Sequence, residues 1–151
     1  MIVRRPAVDE RQELEEADLD GRVGLVGDDW ELRGDSSDEY LETQVTLMNA
    51  RVIGLVAGGR QRWALAGAQL YIDLDLSNEN LPAGTRLGLG SVVLEVTAMP
   101  HRGCAKFAGR FGPDALRFVN TGVGLELSMR GIYARVVVPG SVRRGDEIRK
   151  V

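Results

Sequence analysis

The chain is poor in the residues that most chemistry needs. Its 151 residues include one cysteine, Cys104, and one histidine, His101. A single cysteine closes no internal disulfide, so nothing implies an oxidising compartment. A closed zinc site needs about four Cys or His ligands and a cubane cluster four thiolates; the chain supplies neither, so no zinc is expected. Long apolar runs are also missing. The longest, such as Val52 to Ala57 or Val136 to Pro139, fall far short of the roughly 20 residues that cross a bilayer. The amino terminus, MIVRRPAVDERQELEE, has no apolar stretch behind its arginines and does not read as a signal peptide. The expected location is cytoplasmic, with no membrane contact. Aromatics are scarce at 5% and show no stacking pattern, and the net charge is -3, so nucleic acid is not an expected partner.

What is present fits one ordinary soluble domain: 44% hydrophobic and 27% charged residues. The charge is divided. Residues 1–43 hold 14 acids and 5 bases, whereas residues 44–151 hold 8 acids and 14 bases. A basic body behind an acidic leader suggests an anionic ligand for the body, or a dimeric interaction protein whose leader docks on the body, against the bland reading of a solvated, charged helix.

Local signals give a coarse map. Pro6 to Leu19, with acids crowding its first half and Gly21 beyond, predicts a short helix, so residues 1–22 read as an acidic helical leader. Gly21 to Gly34 reads as loop. Gln44–Met48 predicts a strand, followed by a helix to about Ala57. Leu70 to Leu76 alternates like a half-buried strand, and Asn80-Leu81-Pro82-Ala83-Gly84 is turn chemistry. Arg86 to Gly90 and Ser91 to Thr97 predict two more strands. Cys104 to Gly112 and Pro113 to Asn120 predict helices, and Gly131 to Val138 is the strongest strand signal, with a last strand near Ile148. Short strands separated by Gly and Pro, with few helices, indicate a mainly β, barrel-like fold over residues 23–151.

The densest chemistry lies in Pro100-His101-Arg102-Gly103-Cys104-Ala105-Lys106-Phe107-Ala108-Gly109-Arg110. If Cys104 opens a helix, its sulfur lies at the positive helix end, and Arg102, Lys106 and Arg110 add to the field. Such surroundings favour the thiolate, which is the nucleophilic and metal-binding form. Lys106 and Arg110 share a helix face and can address one anion. The opposing reading makes Cys104 a buried small hydrophobe and the cations plain surface charge. Asp73 and Asp75 share a strand face that could hold a cation or simply meet water. Gly84, Gly88 and Gly90 lack the strand–loop–helix setting of a dinucleotide site.

The ordered series Asp75 to Gly84, Leu87 to Gly90, Leu94 to Thr97 and the single Cys104, closed by Gly131 to Val136 and Pro139 to Val142, resembles the MOSC domain. This is the carboxy-terminal domain of molybdenum-cofactor sulfurases and also occurs alone in bacteria. The resemblance implies a barrel-like β fold. It implies that Cys104 carries sulfur as a persulfide, with a pyridoxal-phosphate-dependent cysteine desulfurase as donor, or ligates the molybdenum of a pterin cofactor. It places Asn80 near the ligand. On chemical grounds His101, Arg102, Lys106 and Arg110 suit the cofactor's anionic end. The pyridoxal-phosphate domain of the fused sulfurases is not in this sequence, so no site for that cofactor is expected. The early His-Gly-Gly-type segment of many members is replaced by Gly27 to Gly34, without histidine. A non-catalytic anion- or pterin-binding barrel with an inert Cys104 is the alternative.

Overall fold

The computed structural model describes residues 1–33 and 37–151; Gly34, at the end of the expected loop, lies outside the described residues. The strands are β1 (Ile2–Arg4), β2 (Gln12–Leu14), β3 (Glu16–Asp20), β4 (Gly24–Leu25), β5 (Val45–Asn49), β6 (Leu70–Ile72), β7 (Arg86–Leu89), β8 (Val92–Val96), β9 (Ile132–Val138), β10 (Gly140–Arg143) and β11 (Ile148–Lys150). The helices are α1 (Asp38–Leu41), α2 (Ala50–Ala57), α3 (Ala105–Phe111), α4 (Pro113–Asn120) and α5 (Val123–Glu126). Eight strands form one curled sheet in the order β11-β7-β8-β9-β5-β6-β1-β2, and β10-β3-β4 form a second. Among the described residues only β5 and β6 pair in parallel, because α2 and a 3-10 turn at Arg60–Ala66 carry the chain back between them. The mainly β, barrel-like class expected from the sequence is the one found.

Strand β5 is central, and four of its five residues are buried. Val45 and Leu47 face the barrel interior with Leu70, Leu87, Leu94 and Val136. Met48 faces the other way, into a second core with Ile53, Tyr71, Phe107 and Val119. That second core lies under the helices, so this face of the sheet is covered rather than wet. Helix α2 starts where the Asn49 side chain accepts hydrogen bonds from the Arg51 and Val52 amides, and it ends at Gly58 in the left-handed conformation.

The helix expected over Pro6–Leu19 is absent. Glu16-Ala17-Asp18-Leu19 alternates exposed and buried residues, the period of a strand, and β3 pairs with β10. β1 inserts between β2 and β6, so the amino-terminal segment is woven into both sheets. Its acids meet the body's bases within this one chain: Glu13 with Arg60, Glu15 with Arg144 and Glu16 with Arg143. The strand expected over Leu70–Leu76 stops at Ile72, since Asp73 turns out to pair with Arg51 and Asp75 accepts from Ser77. Neither aspartate has a cation-binding partner set.

Gln44 joins the two sheets. Its side-chain amide is fully buried; Nε2 donates to the Gly21 carbonyl at 2.8 Å and Oε1 accepts from the Val136 amide at 2.9 Å. Replacing Gln44 with Leu strands a buried N–H and a carbonyl, and is expected to cost roughly 2 kcal/mol or more. A urea melt of Gln44→Leu that matches the wild type would contradict this account of how the sheets are held.

Candidate functional site

One cavity of about 840 Å³ opens between the amino-terminal segment, the loop at residues 28–33, and the connection from β8 to α3. His101, Arg102, Cys104, Lys106 and Arg110 all line it, so five of the six residues selected from sequence come together. Asn80 does not. It sits in the turn between β6 and β7, and its amide donates to the Asp75 carbonyl at 2.7 Å, closing a local turn instead of facing the cavity.

Cys104 occupies the cap position of α3 and is exposed. It stands there because Gly103 brings the backbone close against Leu116 and Val119, while the Asn120 side chain accepts from the Gly103 amide and donates to its carbonyl. Partial burial pushes the thiol up. The first-turn N–H groups of Phe107 and Lys106, with the charges of Arg130 and Arg110, outweigh that and leave it below the ordinary thiol value.

The cations around the sulfur are unequally engaged. Arg110 donates to Asp9 at 2.7 Å and to the Leu65 carbonyl, and Lys106 lies 4.0 Å from the same carboxylate. Arg5 is saturated by Asp28, Asp29 and the Gly67 carbonyl. Arg11 is spent on backbone carbonyls. Among the described residues Arg102 has neither ion pair nor hydrogen bond. Asp9 reaches its partners from a left-handed backbone conformation, φ 63, rare for a residue with a side chain.

Arg130 was not selected from the sequence, and it is the most unusual residue in the cavity wall. Only 8% exposed, it donates one hydrogen bond, from Nη2 to the Ala66 carbonyl at 2.9 Å, and lies over the Phe107 ring at 4.9 Å. Its Nε and Nη1 have no partner among the described residues. Burial lowers its pKa, as it must for a cation removed from water. The one signal available in sequence was a charge directly before Gly131 and the strongest strand. His101 tilts against Tyr133 at 4.3 Å, and its Nδ1 is buried without a partner. Burial, then the charges of Arg130 and Arg5, hold its pKa well below the usual value, so the imidazole is neutral. On the opposite wall Trp30 and Tyr40 stack at 4.5 Å, and Trp30 Nε1 donates to Thr43.

A mostly antiparallel, curled β-sheet protein with a cationic chamber around one reachable thiol is the class defined by these features. The MOSC domain model matches residues 36–149, and the chain belongs to the MOSC domain family. Among solved structures it is similar to the YuaD protein from Bacillus subtilis, with 19% identity, a TM-score of 0.64, and coverage of 97% of this chain and 91% of that one. It is also similar to YiiM from Escherichia coli, with 18% identity, a TM-score of 0.63, and coverage of 99% and 67%. These likenesses show the fold. No curated protein gives a match. Among the described residues no group of three His, Cys, Asp or Glu side chains is placed to hold a metal, and no helix is long and apolar enough to cross a membrane.

A thiol held low by its surroundings reacts as the thiolate at lower pH than a free thiol of about 8.5. The rate of Cys104 alkylation by iodoacetamide is therefore expected to rise with pH to a midpoint below that value. Arg130→Met should move the midpoint upward, because a positive charge near the sulfur is gone. A midpoint at or above 8.5 in the wild type would contradict the electrostatic account.

Proposed function

We propose that this MOSC domain binds a phosphate-bearing pterin cofactor, with the Cys104 thiolate as the protein ligand to its molybdenum. The observation that carries the reading is a reachable, thiolate-favouring cysteine in the wall of an 840 Å³ cationic cavity. The donor set fits. A soft sulfur suits a soft metal. Lys106 and Arg110 share one carboxylate, Asp9, and Arg102 pairs with none among the described residues, which leaves positive charge for a phosphate carrying about -1.5 to -2. Fork-shaped Arg102, with no competing partner, is the group best able to take two phosphate oxygens at once.

When bound, such a cofactor supplies the redox change itself. The chain's own part is to fix and tune. The α3 amides and the field of Arg130 favour the Cys104 thiolate. Buried His101 is neutral, so it adds no charge next to the thiolate and offers one ring N–H for hydrogen bonding. The Trp30–Tyr40 pair gives the far wall a rigid aromatic face.

The persulfide-carrier reading needs a reachable thiolate but no large cationic chamber, so the chamber favours cofactor binding. The inert-cysteine reading is disfavoured by the exposure of the sulfur. The test is metal and pterin content of protein produced in a host that makes the cofactor. Cys104→Ser is expected to lose molybdenum by about tenfold or more while staying folded, and Arg102→Ala to lose metal and pterin together. Wild-type protein without either, but heavier by one reducible sulfur at Cys104, would establish the carrier role instead.

A further inference from the structure

A second cavity of about 280 Å³ lies behind the first, bounded by the connection from β8 to α3, the turn between β6 and β7, and the segment from α5 to β9. His101, Arg102 and Arg130 line both spaces, so their side chains form the partition. The rest of the smaller wall is largely apolar, including Leu81, Met99, Leu125 and Ile132. Among the described residues no Asp or Glu lines it. The volume equals about nine water molecules at their share of the liquid.

The partition carries buried polar atoms that lack partners among the described residues: Arg130 Nε and Nη1, and His101 Nδ1. A buried guanidinium with two idle nitrogens is costly unless something completes its hydrogen bonding. The backbone keeps the place open. Gly131 has φ 106, and a Cβ there would run into the Leu47 carbonyl, so no side chain can fill the space beside His101 Nδ1.

We infer that the smaller cavity binds a small organic carboxylate. Its charged end is answered by the Arg102 and Arg130 cations, a small shift of the Arg130 side chain bringing its enclosed Nε or Nη1 to the carboxylate, while its short apolar body lies against Met99, Leu125 and Ile132. A monoanion fits because the wall is basic at one end, lined by no acid among the described residues, and elsewhere carries mostly apolar side chains with Asn78, Thr97 and Ser128 as neutral polar ones. An inorganic anion would leave the apolar part unfilled. The site does not depend on Cys104 or on any cofactor, so it stands or falls apart from the function proposed above.

The test is calorimetric titration of the purified chain with benzoate and with benzamide, which has the same shape without the charge. Benzoate is expected to bind with Kd on the order of 1 mM, and benzamide about tenfold or more weaker. Arg130→Met should weaken benzoate about tenfold or more. Should that variant not fold, Leu125→Trp, which narrows the cavity from an exposed position, should weaken benzoate comparably and leave the alkylation rate of Cys104 unchanged. Saturating benzoate, by answering the Arg130 charge, should move the Cys104 alkylation midpoint upward as Arg130→Met does, while the sulfur stays reachable. Equal binding of the two probes, an absence of saturable benzoate binding, or tight binding in Leu125→Trp would each overturn the inference.

Discussion

A buried guanidinium with one hydrogen bond is the constraint around which this site is arranged. Arg130 is fixed between the Ala66 carbonyl and the Phe107 ring, and its Nε and Nη1 are buried without a partner among the described residues. Removing a charge from water costs several kcal/mol unless its surroundings answer it. Here the answers available are the aromatic face, an ionised Cys104 and whatever enters the two cavities. The same charge that needs compensation is therefore what favours the thiolate. Cation and thiolate stabilise each other, and either one alone would be less favourable.

The amino-terminal segment has a part in the same balance. Its acids do not form a detached leader but pair with basic residues across the fold, and Asp9 sits over Lys106 and Arg110. The basic excess of the body is thus answered in part by the chain itself. Among the described residues lining both cavities, Arg102 and Arg130 have no carboxylate partner. An anionic ligand arriving at the large cavity finds these two first and competes with one carboxylate for the others. Most of the surface pairs contribute little stability, being exposed and screened. Their effect is to decide where positive potential survives.

Much of the fold was legible in sequence because its signals are local. The alternation in β8, the β-branched run of β9, the Asn49 start of α2, and Gly112-Pro113 between α3 and α4 each follow from residues within a few positions. The segment from Pro6 to Leu19 misled because a proline and an acidic run imitate a helix start, while its period-two alternation is confined to β3. The cysteine cluster was legible because its members are neighbours in the chain. Arg130 was not, since its meaning depends on Ala66, Phe107 and two cavities that only the folded chain brings together. Asn80 lies apart from the large cavity because its Nδ2 donates to the Asp75 carbonyl, five residues away, and closes a local turn.

The central claim is that the Cys104 sulfur, ionised in a cationic cavity, bonds directly to the metal of a bound cofactor. X-ray absorption at the molybdenum edge of cofactor-loaded protein tests this most directly. The account predicts a sulfur shell that loses one scatterer when Cys104 is replaced by Ser. An unchanged sulfur shell in the loaded Ser variant would contradict it.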